Sequence, residues 1–198
     1  PGLSSVRSND QLSSSLVDQT TENLDSNSSF DLQSIESIEN ISSEDQVNIG
    51  LPIRLKIPRI NIDAPIEYVG LTSKGAMEVP KEITKVAWFK YGQRPGESGS
   101  AVIAGHFGWK DEIEATFNNL HRLRKGDQLI VEDENGVITI FVVREKRKYQ
   151  SKDDASNVFI SNDGKTHLNL ITCEGEWDEI KQSYPSRLVV FTDKLIEN

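Results

Sequence analysis

DQLIVEDENGVITIFVVREKRKY, residues 127–149, is the stretch that decides the fold. Two runs rich in Val and Ile flank Asn135-Gly136, which predicts a β-hairpin closed by a type I′ turn, because Asn and Gly tolerate positive φ. Val137 to Val143 is apolar on both faces, as expected of a strand in a closed or double-layered sheet. Upstream, LPIRLKIPRINIDAPIEYVG (51–70) alternates apolar and polar residues, with Pro52, Pro58 and Pro65 interrupting. Proline cannot donate to a ladder, so these read as edge or short strands. SAVIAGH (100–106) reads as a buried strand behind the Gly/Pro/Ser stretch from Gly92 to Ser100. Downstream, HLNLITC (167–173) and SRLVVF (186–191) supply two more. Helix signals are short: Ile113 to Leu120, and Asp153 to Phe159, where Asp153 or Asp154 can cap. Many strands between turn signals, with minor helices, point to a mainly β protein, a barrel or sandwich.

The hairpin sits in the second of two unlike regions. Residues 1–50 hold nine acidic residues and one basic residue, a net charge of −8, with thirteen Ser and one aromatic, Phe30. Such a segment cannot bury enough apolar surface to offset chain entropy, and it is expected to be a disordered tether. Leu32, Ile35, Ile38 and Ile41 allow a short amphipathic helix over 31–41. Residues 51–198 are nearly neutral, with 22 acidic and 21 basic residues. The overall charge of −9 argues against a nucleic-acid partner. One Cys excludes an intramolecular disulfide framework. No run is long and apolar enough to span a bilayer. The chain opens on Pro1 rather than Met, so it is read as a fragment whose leader or membrane anchor lies upstream.

Cys173 ends the apolar run Leu170-Ile171 and precedes Glu174-Gly175, so it lies at a strand end. It reads either as a buried structural Cys or as a nucleophile. A free thiol is only a few per cent ionised at neutral pH and needs a cationic neighbour. His106 closes the strand AVIAGH, and Arg187 lies fourteen residues after Cys173 on the next strand. A strand pair could bring these side chains to one end of the sheet.

These residues sit in motifs that resemble those of the sortases. VIAGHFGW resembles the family's strand-end histidine motif, LNLITCEG its TLxTC cysteine motif, and SRLVVF the strand with the essential arginine. FNNLHRLRKGDQLIV is similar to its F-x-x-L…GD segment, and IPRINIDAPI to its first hairpin. The motifs run in family order across residues 51–194. Asn169 departs from the usual Thr of TLxTC. The pattern is closer to classes D, E and F than to the housekeeping class A enzymes. The resemblance implies an eight-stranded closed barrel over 51–198, preceded by the 1–50 linker. It implies a cysteine transpeptidase at the outer face of a bacterial membrane, with no metal or other cofactor. Its partners would be surface proteins carrying a C-terminal LPxTG-like sorting signal, cut between Thr and Gly. The acyl group would pass to an amine such as a peptidoglycan precursor or a pilin Lys. Cys173 would be the nucleophile and His106 the general acid and base. Arg187 would be the electrostatic partner, and the Glu174 backbone N–H an oxyanion donor. Thr172 is a weaker candidate for positioning substrate. Ala104 and Ile171 would share a face with their catalytic neighbours and contact the sorting signal, although both also read as barrel core. The segment from Tyr149 to Thr166 would wall the groove.

Other readings are weaker. His121, among basic residues, reads as surface, and His167 is about 20 Å of strand away from Cys173. No close ligand pair supports a zinc site. Glu174, Glu176, Asp178 and Glu179 read as a solvated loop rather than a glycosidase pair. Trp88, Trp109 and Trp177 read as groove wall or packing, and no phosphate-binding glycine motif ends in G-K-[ST]. A non-enzymatic surface-binding module would fit the composition but leave Cys173, His106 and Arg187 unexplained. A hydrolase using water as acceptor would fit all three.

Overall fold

A computed structural model describes residues 48–150 and 152–196. The acidic tether expected over 1–50 and the helix considered at 31–41 fall outside it, apart from Asn48 to Gly50. Eight strands close a barrel: β1 (Pro52–Ile57), β2 (Ile62–Val69), β3 (Val86–Phe89), β4 (Gly99–Gly105), β7 (Gln128–Asp133), β8 (Ile138–Gln150), β9 (Thr166–Glu174) and β10 (Ser186–Lys194). Around the barrel they run β1-β2-β3-β4-β9-β10-β8-β7. Two short strands, β5 (Trp109–Lys110) and β6 (Ile113–Glu114), form a separate hairpin, and α1 (Ser156–Phe159) is a single turn. Among the described residues no helix is long and apolar enough to cross a membrane.

Closure follows from the alternation along each strand. Leu55, Ile57, Ile103, Leu129, Phe141, Leu168, Leu170 and Val190 point inward and form one core. A second cluster lies outside the wall: Val102, Val189 and Phe191 pack with Val158 from α1. The β8–β9 connection is therefore pinned to the outer face of β4, β9 and β10. The Asn169 amide donates to the Val158 carbonyl at 2.6 Å, and the Tyr149 hydroxyl bonds to Asn157 at 3.0 Å. His167 anchors the same connection from below. It is buried between Asp163 at 3.0 Å and Asp193 at 2.7 Å, so its role is structural. Its hydrogen bond to Asp163 holds that carboxyl well below the usual range.

Five local expectations need correction. The 133–137 turn is not type I′: Gly136 has φ +79° but Asn135 is not in the left-handed region. The Asp133 carboxylate accepts from Asn135 N and Val137 N, which starts the turn one residue earlier and leaves only Gly136 at positive φ. Val137 to Val143 is not equally buried on both faces: Phe141 and Val143 are buried, whereas Ile138 is 50% exposed. Ile113 to Leu120 is not a helix. Asp111 and Glu112, both at positive φ, turn the β5–β6 hairpin. The N–H groups of Thr116 and Phe117 then bond to Ile83 O and His106 O instead of carbonyls one helical turn back. Only Leu120–Arg122 forms a 3-10 turn. In 153–159 the helix shrinks to α1, capped at Ala155; Asp154 bonds Ser156 N from one position further out. Pro65 lies inside β2 rather than on an edge, at the last position before pairing with β3 begins at Ile66.

The end of β4 is built on close approach. A Cβ on Gly105 would lie 2.5 Å from Cδ2 of Phe117, a fully buried core ring. Gly105→Ala is expected to destabilise the fold by about 1–3 kcal/mol through overpacking. Thermal unfolding checks this, and adding Phe117→Leu should recover part of the loss.

Candidate active site

Cys173 lies on β9, between β4, which runs parallel to it, and β10, which runs antiparallel. On the β10 side Cys173 is registered directly opposite Arg187. Directly opposed residues of a pair carry Cβ atoms about 4.5–5.5 Å apart on one face. The alternation says which face this is: Leu168 and Leu170 point into the barrel, so Asn169, Ile171 and Cys173 point outward. Leu188 and Val190 likewise point inward and Arg187 outward. On the other side the last registered pair is Ala104 with Ile171. Two residues further come Cys173, still on β9, and His106, just past the end of β4. Cys173 thus faces Arg187 on β10, and the chain leaves β4 toward His106 on its other side.

Each side chain is held from outside its own strand. The His106 ring bonds through Nε2 to the Pro80 carbonyl at 2.7 Å. A carbonyl only accepts, so Nε2 carries a proton and Nδ1 is left for exchange. The Arg187 guanidinium donates from one nitrogen to Tyr184 O at 3.2 Å and Ser186 O at 3.0 Å. The rest of its fork is uncommitted among the described residues. Behind the site the Thr172 hydroxyl donates to Gly105 O at 2.9 Å and ties the ends of β4 and β9 together. Thr172 points inward and is 3% exposed; it braces the strands and lines the cavity that also touches Cys173. Glu174 also points inward and pairs with Lys148 at 3.3 Å. Ala104 and Ile171 stand outside the barrel core that was their alternative reading. Ala104 is nearly buried, and Ile171 packs on the outer cluster beside Val102 and Val189.

Beyond β9 the chain turns at Gly175, φ +102°, where a Cβ would meet Pro185 at 2.8 Å. The 175–185 loop folds back so that Tyr184 meets Phe107 edge-on at 5.4 Å and Trp177 at 5.1 Å. This aromatic contact joins the loop after Cys173 to the residue after His106. Trp88 is buried with its indole N–H on Gln93 O, whereas Trp109 is exposed. Neither the Pro80 carbonyl nor the Tyr184 bridge was legible in the sequence. A backbone acceptor has no side-chain signature, and a Tyr in a polar loop is unremarkable until its partner is known.

Burial pushes the Cys173 thiol above its ordinary value, and the Arg187 charge pulls part of that shift back. At neutral pH the thiol form therefore dominates, and the thiolate grows only with rising pH.

A family model, the sortase domain, matches residues 55–195. No curated protein sequence matches the chain. The crystal structure of sortase C-1 from Actinomyces oris is similar at 22% identity, over 74% of this chain and 76% of that one, with a TM-score of 0.58. That of sortase C1 from Streptococcus agalactiae is similar at 22% identity, over 74% and 68%, with a TM-score of 0.56. Sortase A from Corynebacterium diphtheriae is similar at 18% identity, over 77% and 64%, also at 0.56. At these identities the likeness is one of fold. The match over the whole barrel shows that the chain belongs to the sortase family, the cysteine transpeptidases of the bacterial cell surface.

Alkylation of Cys173 by iodoacetamide is expected to speed up with pH, with a midpoint above that of a free cysteine, about 8.5. Arg187→Gln removes the opposing charge and should move the midpoint higher still. A midpoint below neutrality, or one unmoved by Arg187→Gln, contradicts this electrostatic reading.

Proposed function

We propose that this chain cleaves an LPxTG-like sorting signal between Thr and Gly through a thioacyl enzyme at Cys173, then transfers the acyl group to an amine. The observation that carries the proposal is the register: Cys173 on the middle strand with Arg187 directly opposite, in a chain whose neighbouring strand β4 leads into His106. Nδ1 of His106 takes the Cys173 thiol proton as Sγ attacks the scissile carbonyl carbon, so the S–H bond breaks as the C–S bond forms. His106 delivers a proton from Nδ1 to the leaving amine nitrogen as the C–N bond breaks. In the second half the acceptor amine attacks the thioester, a C–N bond forms and the C–S bond breaks. Nδ1 of His106 takes the amine proton and passes it to the departing Sγ, which returns Cys173 to the thiol. Acid–base assistance of this kind contributes about 10²–10⁴-fold.

Arg187 stays charged throughout and cannot be the base. Its uncommitted N–H groups donate to the substrate and to the oxygen that gains charge in each tetrahedral intermediate. The Glu174 backbone N–H is the second donor. The sorting signal lies along the outer face over Ala104 and Ile171, against the β8–β9 connection. Burial of Val158 gives that wall a fixed position, which supports a groove selective for extended peptides. The substrates are surface proteins carrying such a signal. The acceptor is a peptidoglycan precursor or a pilin Lys.

Mass spectrometry of the protein incubated with LPxTG-like peptides should reveal an acyl adduct on the wild type and none on Cys173→Ala. With added amines a product joined at Thr should appear, and hydrolysis alone would indicate that water is the acceptor. Arg187→Ala should lower turnover by at least about 10²–10³-fold, the scale of one lost oxyanion donor. Arg187→Lys should recover only part, because an ammonium lacks the planar fork. Turnover by Cys173→Ala, or full activity of Arg187→Lys, would overturn these roles.

A further inference from the structure

The resting tautomer of His106 depends on a single peptide group. The ring donates from Nε2 to the Pro80 carbonyl at 2.7 Å. The N–H of that same peptide unit belongs to Lys81, and it donates to Oε2 of Glu67 at 2.9 Å. A trans peptide is planar, with its N–H and C=O pointing opposite ways. Glu67, on β2, and His106, just past β4, therefore grip the two ends of one rigid plane.

The plane is fixed from other directions as well. Pro80 is buried, and its ring locks φ. Three residues on, Ile83 O accepts from the Thr116 N–H at 3.1 Å and from the Thr116 hydroxyl at 3.2 Å. The next N–H, that of Phe117, donates to His106 O at 3.0 Å. The 80–83 stretch and the turn that carries His106 are thus bonded to each other at Pro80 and again at Ile83.

Glu67 is a charged acceptor. The Lys81 N–H does most to hold its carboxyl below the usual range, against the opposing effect of burial. Lys85 lies 3.4 Å from Glu67 but 2.5 Å from Glu82, so one ammonium is divided between two carboxylates. A carboxylate at the N–H end makes a charge-assisted hydrogen bond and polarises the peptide. The Pro80 oxygen becomes a better acceptor for the Nε2 proton. That proton stays in place, and Nδ1 is left to take and give protons. When Nδ1 takes the thiol proton the ring becomes a cation, and the same oxygen faces its positive charge.

We propose that Glu67 is a positioning residue for the transfer reaction: acting through the Pro80–Lys81 peptide, it sets the tautomer of His106 and steadies the ring while it is charged. It does for His106 what a third group bonded directly to a catalytic base does, with one peptide interposed. The proposal rests on the acid–base role given to His106, but the tautomer is read without turnover.

The chain has three His, so NMR of protein labelled with ring-15N histidine resolves each ring, and His106→Gln assigns the signals of interest. At alkaline pH, where imidazoles are neutral, the wild type should show His106 with its proton on Nε2. Glu67→Ala should raise the share of the Nδ1–H tautomer several-fold. Glu67→Gln, which keeps an acceptor for Lys81 but no charge, should fall between the two. Glu78→Ala is the control: that carboxylate holds Gly70 N at 3.0 Å in the same connection and does not touch the peptide. It should keep the wild-type tautomer. An unchanged tautomer in Glu67→Ala, or the same redistribution in Glu78→Ala, would overturn the proposal. With an LPxTG-like peptide, Glu67→Ala should lower kcat by about tenfold, the scale of losing a partner that holds a working imidazole from behind. KM should stay within about twofold, because no contact to bound substrate is lost. Glu67→Gln should recover part of kcat. A loss confined to KM would also overturn the positioning role. Failure of the wild type to form any acyl enzyme would instead overturn the transferase reading and leave the tautomer result standing.

Discussion

Everything at this site depends on the pairing of β9, which has a parallel neighbour on one side and an antiparallel neighbour on the other. A strand between two partners cannot slip by one residue without turning its whole apolar set to the wrong face. Leu168 and Leu170 fix the inward phase, and that phase forces Cys173 outward. The same constraint on β10 fixes Leu188 and Val190 inward and Arg187 outward. The hydrophobic core therefore sets the angle from which a cation faces the thiol. No loop has to fold correctly for the Cys173–Arg187 relation to exist. His106 is different. It lies just past the end of β4 and depends on Thr172 bonding to Gly105 O, on Phe117 filling the space over Gly105, and on the Pro80 carbonyl.

The electrostatics fit this arrangement. Burial works against the thiolate and Arg187 works for it, with burial the larger effect. Such a thiol is largely protonated at neutral pH, so the proposed attack needs a base to take its proton. The outer cluster has a separate job. Val158, Val189 and Phe191 hold the β8–β9 connection against the sheet, while His167 between Asp163 and Asp193 secures its far end. A connection held at both ends keeps its shape without having to order itself on binding.

Much of this was legible in the sequence, for identifiable reasons. The strands HLNLITC and SRLVVF carry strong period-two or continuous apolar patterns, so β9 and β10 were found with the catalytic candidates at their ends. The sortase resemblance supplied the barrel and strand number, which alternation alone left open between barrel and sandwich. The misreadings are local and share a cause. At 113–120 apolar spacing suggested a helix, but two residues at positive φ and tertiary acceptors took the backbone N–H groups. At 133–137 the Asp133 side chain competed with the turn preference of Asn-Gly. Ala104 and Ile171 could not be placed inside or outside the barrel until the register fixed the phase.

The account stands on Cys173 and Arg187 facing each other across β9 and β10, and a cross-link tests that directly. Cys173 is the sole cysteine, so Arg187→Cys creates one possible intramolecular disulfide, and directly opposed strand residues lie within the usual Cα range for one. Under mild oxidation, intact-mass and peptide analysis should show a monomer that has lost two hydrogens, with residues 173 and 187 linked. Leu188→Cys, which points into the barrel, should not link. Free thiols at both positions in Arg187→Cys, or efficient linking through position 188, would contradict the register on which the site is built.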